Sequence, residues 1–250
     1  MNALILAAGY ATRLYPLTRD RAKPLLPVAG KPIASWVADQ LVPVPDLKGV
    51  YVVTNHKFVT DFEEWTQTYR RKHPNLRFTV IDDGSTSDAD KLGAIGDIQF
   101  AINQHGLAGD DLLIIAGDNL LDQPLNDFVE FARERPATLA VYDVKSLEAA
   151  KKYNQLTTNP AGILTEFVEK PESPTNTLCG IALYYYRPEA LALLNVYLEE
   201  GNNPDQPGRY VQWLHRRLDV FTFLIHGRWF DIGSHETLAE ANRIFSQPVQ

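Results

Sequence analysis

The stretch that decides the fold is NALILAAGYATRLYPLT, residues 2–18, continued by RDRAKPLLPVAGKP, residues 19–32. An apolar run from Ala3 to Ala8 ends at Gly9, and polar Thr12 and Arg13 follow. Such a run reads as a buried strand entering a loop whose small residues let the backbone approach phosphates. Arg13, Arg19, Arg21, Lys23 and Lys31 stand here against a single acid, Asp20, in a chain of net charge −7. The cations are therefore gathered where the backbone is small and exposed, as an anion site needs.

Working outward, apolar β-branched runs alternate with helical segments. Strands are expected at Ala3–Ala8, Val50–Thr54, Arg77–Ile81, Leu112–Ala116 and Thr138–Val144. Helices are expected at Ile33–Leu41, Val59–Lys72, Ala94–Gln104 and Leu125–Arg133. Strand–helix alternation predicts a mostly parallel, doubly wound α/β sheet, and strands without polar alternation fit burial on both faces. After residue 145 the pattern becomes richer in β structure, with strands at Asn154–Thr158, Gly162–Lys170 and Leu178–Tyr186. Helices at Pro188–Glu199 and Tyr210–Arg217 follow, then strands at Val220–His226 and Trp229–Asp231 and a last helix at Glu236–Phe245. Gly201–Gly208, rich in Asn, Pro and Gly, reads as an ordered loop or a lid.

The 250 residues, 45% hydrophobic and 22% charged, suffice for one large α/β domain. The negative net charge argues against general nucleic-acid or membrane binding. One cysteine, Cys179, allows no internal disulfide and reads as a small core residue. The short N-terminal apolar run is unlike a signal peptide, and no stretch reaches the ~18 residues of a membrane span, so a cytoplasmic protein is expected. The six histidines show no metal-ligand spacing.

Five segments carry candidate chemistry. In the first loop, Gly9 frees backbone N–H groups, Thr12 offers a hydroxyl, Arg13 can clamp phosphoryl oxygens, and Lys23 is aimed by the stiff KPLLP stretch. Neither a P-loop nor a G-x-G-x-x-G motif is present. LLIIAGDN, residues 112–119, puts Asp118 at a strand's carboxyl end, where it can hold Mg²⁺ or cap a turn. WFDIG, residues 229–233, offers Asp231 as a second Mg²⁺ ligand, with Ser234 the better-placed helix cap. EFVEKP, residues 166–171, places Glu169 for sugar hydroxyls and Lys170 for a phosphate monoester, unless they form a surface pair. KLGAIGD, residues 91–97, starts a helix. There Gly93 permits a flat base against the backbone, or simply makes a turn with Asp97 at the positive helix end. Asp82, Asp83, Asp88 and Asp90 read as a solvated loop.

Taken in order, these segments resemble the sugar-1-phosphate nucleotidyltransferases, also called NDP-sugar pyrophosphorylases. That pattern runs G-x-G-T-R-L-x-P-L-T, K-P-L-L-P-V, K-P, G-D-N, E-K-P and W-x-D-x-G-T. It is met by residues 9–18, 23–28, 31–32, 117–119, 169–171 and 229–234. The G-D-N form looks most like the glucose-1-phosphate thymidylyl- and uridylyltransferases. The resemblance implies a single domain over 1–250 with a Rossmann-like core. It divides into a nucleotide-binding half, 1–145, and a β-rich sugar-phosphate-binding half, 146–250. It implies nucleotide contacts from Ala7, Ala8, Gly9, Ala11, Thr12, Arg13, Lys23 and Gly93. Sugar-phosphate contacts are implied for Asn119, Tyr153, Asn154, Glu169 and Lys170. The resemblance further implies Mg²⁺ at Asp118 and Asp231, and a catalytic set of Arg13, Lys23, Asp118, Lys170 and Asp231. The implied partners are an NTP, dTTP or UTP first, and a sugar-1-phosphate, glucose-1-phosphate first, in a monomer or homo-oligomer. The alternatives are CTP or GTP, another phosphorylated acceptor, or a silent sugar-nucleotide sensor. Departures from the pattern are Ala11 for Gly, Ser234 for Thr, the Lys91–Asp97 loop, Tyr153-Asn154 and Ala182, which leave base and sugar open.

Overall fold

The computed structural model describes residues 1–247; the last three residues of the expected 1–250 domain lie outside the described residues. The strands are β1 (Asn2–Leu6), β2 (Pro27–Val28), β3 (Lys31–Pro32), β4 (Val50–Thr54), β5 (Phe78–Asp82), β6 (Leu112–Ala116) and β7 (Asn119–Leu121). They continue with β8 (Ala137–Asp143), β9 (Asn154–Thr158), β10 (Leu164–Glu169), β11 (Leu178–Tyr186), β12 (Val220–Leu224) and β13 (Trp229–Asp231). The helices are α1 (Ile33–Leu41), α2 (Val59–Lys72), α3 (Ala94–His105), α4 (Asn126–Ala132), α5 (Leu147–Ala150), α6 (Pro188–Glu199), α7 (Pro207–Leu214) and α8 (His235–Phe245).

Seven strands form one sheet in the order β12-β8-β11-β6-β1-β4-β5. Every neighbouring pair is parallel except those of β11, which runs antiparallel to both β6 and β8. The chain leaves β1 towards β4 and β5 on one side and returns to β6 on the other. The sheet order therefore reverses at β1/β6, and ligands of open α/β sheets bind at such a point, beyond the strands' carboxyl ends.

The two faces are built by alternation. Ala3, Ile5, Leu113 and Ile115 enter one core, under α1, α2 and α4, while Leu4, Leu112 and Ile114 enter the other, under α3, α6 and α7. All seven are fully buried, each larger side chain contributing roughly 1.5–3 kcal/mol relative to exposure. A third cluster joins Leu14, Leu26, Val28 and Ile33 to Ile232, Ala241 and Phe245, clamping the first loop against α8. Ser234 caps α8 by accepting from the Thr237 N–H at 3.2 Å, as its sequence position suggests.

The α/β sheet of the sequence reading is present, with two refinements. The expected division at 145 does not separate two cores, because β8 lies beside β11 and β12 in the main sheet. Outside it, the later half contributes the β9–β10 hairpin, and its β13 pairs with β7. The helix expected at Tyr210–Arg217 starts earlier, at Pro207, because proline is well placed in a first helical turn. Gly201–Gly208 is therefore partly helix. Its loop portion is tied to α6 by Tyr197 Oη donating to the Asn203 carbonyl at 2.7 Å. Among the described residues, no helix is long and apolar enough to cross a membrane.

Candidate active site

A cleft of about 580 Å³ opens at the carboxyl ends of β1 and β6. Ala7, Ala8, Gly9, Ala11, Thr12 and Arg13 reach it from the loop after β1, and Lys23 from the short 3₁₀ turn Lys23–Leu25. Asp118 and Asn119 follow β6, and Asp231 ends β13. Tyr153, Asn154, Glu169 and Lys170 come from the hairpin side, and Gly93 from the start of α3. All the candidate residues thus meet in one place.

The centre is an arrangement of three charges. The β7–β13 ladder sets Asp231 opposite Asn119, next in sequence to Asp118. Lys23 forms an ion pair with Asp118, and both side chains are largely shielded. Burial opposes the Lys23 charge, but the carboxylates of Asp118 and Asp231 outweigh it and raise the lysine's pKa. Burial first, and the like charge of Asp118 second, push Asp231 up to about 6; Lys23 and Arg13 pull it back. Burial, more than charge imbalance, therefore sets the raised Asp231 pKa.

The loop after β1 faces the cleft with its donors. Its strand ends with the Ala7 N–H donating to the Val53 carbonyl at 2.8 Å. From Ala8 to Ala11, no oxygen of the described residues accepts from a backbone N–H. A Cβ on Gly9 would meet no protein atom within 4 Å. Ala11 takes the left-handed conformation (φ 49°, ψ 43°), at the position where the motif carries glycine. Successive N–H groups turned one way make an anion-binding concavity.

On the hairpin side of the cleft the side chains hold each other. Asn154 donates to the Gly180 carbonyl at 2.9 Å and accepts from the Gly180 N–H at 2.6 Å, fixing the hairpin to β11. Trp229 donates to Asn119 Oδ1 at 3.0 Å, which leaves buried Asn119 Nδ2 as a donor without a partner. The Tyr153 ring lies edge-on to Trp229. Glu169 Oε2 is buried and unpartnered, and burial raises its pKa against the pull of Lys170 and Arg209. Glu169 is thus more than half of a surface pair. Exposed Lys170 sits at φ 49°, a second left-handed non-glycine residue on the cleft.

The Gly93 end of the cleft differs from the sequence reading in two ways. Gly93 (φ +80°) is closed off by the chain itself, since a Cβ there would lie 2.7 Å from the Pro204 carbonyl oxygen and 2.8 Å from Asp205 Cα. The Ile95 N–H donates to that same carbonyl at 2.7 Å. The close approach that demands glycine is therefore made by residues 204–205. Asp97 is in the first turn of α3 but is buried, not a charge at an exposed helix end. Burial and then Asp83 push it up to about 8, and burial raises Asp83 as well. Two buried carboxyls that bond one another share a proton at neutral pH. Asp83 thus leaves the expected solvated loop, while Asp90 stays there, accepting from Thr86 and Ser87.

Asp205, Gln206, Pro207 and Gly208 also line the cleft, and no motif signals them. Gly208 allows α7 to abut Glu169, whose Oε2 a Cβ would meet at 2.2 Å.

Known proteins place this geometry. A family model for nucleotidyl transferases matches residues 2–247. The chain belongs to that family. It is 26% identical over 243 residues to the bifunctional protein GlmU of Methanocaldococcus jannaschii, covering 97% of this chain but 54% of that protein. It thus spans about half of GlmU's length. It is 31% identical over 189 residues to the UTP–glucose-1-phosphate uridylyltransferase AglF of Haloferax volcanii, covering 75% of this chain and 72% of AglF. A solved UDP-glucose pyrophosphorylase with UDP-glucose shares the fold, at TM-score 0.80 and 21% identity over 98% of this chain and 97% of that one.

Two outcomes follow from the Gly93 end of the cleft. Gly93→Ala is expected to lose about 2 kcal/mol or more of stability in urea unfolding, from the backbone clash and the positive φ; a change under about 0.5 kcal/mol would refute the close approach. For Asp97, the folded pKa of about 8 lies above the unfolded 3.8. The folded state then binds more protons between these values, and stability falls as pH rises from about 4 through 8. Asp97→Asn should melt with the wild type near pH 4 and above it at pH 8.5. Parallel melting curves across that range would remove the buried acid pair.

Proposed function

We propose that the cleft transfers a nucleotidyl group from an NTP to a sugar-1-phosphate, releasing pyrophosphate and forming an NDP-sugar. The observation that carries this reading is the convergence of the Ala8–Ala11 donors, Arg13 and Lys23 on the Asp118–Asp231 carboxylates. Donors and cations suit a triphosphate, and a close carboxylate pair suits a divalent cation that would neutralise phosphate charge.

The chemistry needs little beyond placement. A phosphate oxygen of the sugar-1-phosphate, anionic near neutral pH, attacks the α-phosphorus in line, and the bond to the β-phosphate oxygen breaks. No general base is required, so the rate comes from positioning and charge neutralisation. The N–H groups after β1 and Arg13 take the β- and γ-phosphates and steady the departing pyrophosphate. Lys23 neutralises charge at the α-phosphoryl group, and Lys170 holds the attacking phosphate. Glu169 and the free Nδ2 of Asn119 orient sugar hydroxyls, with Tyr153 and Asn154 shaping that side.

Two hard carboxylates, one of them raised in pKa by burial and then by its neighbour, fit Mg²⁺, which prefers one or two carboxylates plus phosphate oxygens. Bound at Asp118 and Asp231, Mg²⁺ would supply charge neutralisation on the phosphates. Lys23 then exchanges its Asp118 partner for a phosphate oxygen. UTP or dTTP with glucose-1-phosphate is the substrate pair we favour, supported by the likeness to AglF.

The test is pyrophosphate release with Mg²⁺ across five NTPs and several sugar-1-phosphates. One productive pair is expected; nucleotide binding without release for every pair would instead indicate a sensor. Asp118→Asn should keep the fold by circular dichroism and lower kcat on the order of 10² or more. Near-normal turnover would exclude Asp118 from the reaction. In calorimetry on the protein without nucleotide, Mg²⁺ binding should weaken as pH falls below about 6, where Asp231 takes up a proton. A flat profile from pH 7 to 5 would remove Asp231 as a ligand.

A further inference from the structure

The N–H groups of the loop after β1 point one way only if its carbonyls are turned the other way and held. Two buried side chains do this. Asn55, fully buried just beyond β4, donates from Nδ2 to the Ala8 carbonyl at 2.9 Å. Thr18, also buried, donates from Oγ1 to the Ala11 carbonyl at 2.8 Å.

The placements follow from the frame. β1 and β4 are parallel with Leu6 beside Val53, so two residues on, Asn55 falls beside Ala8. Neither side chain lines the cleft. In a trans peptide the C=O and N–H point in opposite directions. Fixing the Ala8 carbonyl towards Asn55 therefore turns the Gly9 N–H away from β4, on the side left open beside Gly9. Holding the Ala11 carbonyl fixes the next peptide in the same way and retains the left-handed turn at Ala11.

We infer that Asn55 and Thr18 are positioning residues that pre-organise the loop's N–H groups for the polyphosphate. This rests on the nucleotidyl-transfer reading and adds to it two residues remote from the reacting atoms. The Leu14 N–H also donates to the Ala11 carbonyl, at 3.0 Å, so Thr18 is the second of two donors there, whereas Asn55 alone holds the Ala8 carbonyl. Without the two side chains the Ala8 carbonyl is free to turn inward and the Ala11 carbonyl keeps one anchor of two, placing partial negative charge where the phosphates bind. The loss should fall on the polyphosphate and spare the sugar-1-phosphate, whose contacts lie on the hairpin side.

The experiment compares the wild type with Thr18→Val, Thr18→Ser and Asn55→Leu. Calorimetry with magnesium pyrophosphate and with the preferred NTP gives affinities, and steady-state rates give KM for each substrate. Thermal unfolding reports on the fold. Thr18→Val nearly preserves side-chain volume and removes the hydroxyl; it carries the test if Asn55→Leu fails to fold. We expect pyrophosphate and NTP binding at least tenfold weaker in Thr18→Val and Asn55→Leu. The KM for sugar-1-phosphate should stay within twofold, and Thr18→Ser should restore binding. Folded variants that bind pyrophosphate like the wild type would overturn the inference and leave the functional reading standing. An equal loss for pyrophosphate and sugar-1-phosphate would overturn it too, as general damage to the cleft. A wild type that binds neither pyrophosphate nor any NTP would overturn the functional reading, and the inference with it.

Discussion

The site depends on one hydrogen bond and the close approach it permits. The Gly117 N–H donates to the Leu6 carbonyl at 2.8 Å, joining the ends of β1 and β6 where the sheet order reverses. A Cβ at Gly117 would lie 3.0 Å from that oxygen and 3.0 Å from Pro24 Cγ. Glycine therefore lets three segments converge: the loop after β1, the carboxylate after β6, and the Lys23–Pro24 turn. Because Pro24 rests on Gly117, Lys23 is delivered beside Asp118, the very next residue. The Gly-Asp and Lys-Pro dipeptides, nearly a hundred residues apart in the chain, are thus two halves of one contact.

On the nucleotidyl-transfer reading, electrostatics reconciles an acidic chain with a polyanionic substrate. The net charge of −7 is a property of the whole surface, screened beyond ~8–10 Å at physiological salt. What a bound phosphate meets is local: unpartnered N–H groups, Arg13, Lys23 and Lys170. The Asp118–Asp231 pair stands among them, and burial first and the like charge of Asp118 second raise the Asp231 pKa. Lys23 pulls it back. Carboxylates beside cations in one cleft suit a metal and a phosphate taken up together.

What the sequence made legible follows from how local each signal is. Val50–Thr54, Leu112–Ala116, Ile33–Leu41 and Val59–Lys72 match the expected boundaries to the residue, because each is an apolar pattern bounded by turn-formers. The site residues were legible as motifs, and they converge because strands of a doubly wound sheet end at one edge. The short β7 was not, since three residues carry no period and its pairing with β13 spans about 110 positions. Gly93 was legible as a glycine but not for its reason, because Pro204 and Asp205 reach it only through the packing of α3, α6 and α7. Asp97 looked like a helix-end charge; it is buried beside Asp83, which lies fourteen residues earlier, just past β5. Asn55 read as an ordinary residue after a strand, and only the β1–β4 register gives it work.

Two non-glycine residues on the cleft, Ala11 and Lys170, adopt left-handed conformations that cost roughly 1–2 kcal/mol each. Neither is strained without restraint. Thr18 holds the Ala11 carbonyl, and the Lys170 N–H donates to the Tyr153 carbonyl at 2.8 Å. At Ala11 the comparison with glycine is informative. Glycine would relieve the strain but would also widen the range of conformations open to the loop, in the unfolded chain and around the native turn alike. Alanine, once held by Thr18, leaves that loop fewer ways to turn its N–H groups aside. The strain and the rigidity come from the same Cβ, and a reaction driven by positioning gains from the second more than it suffers from the first.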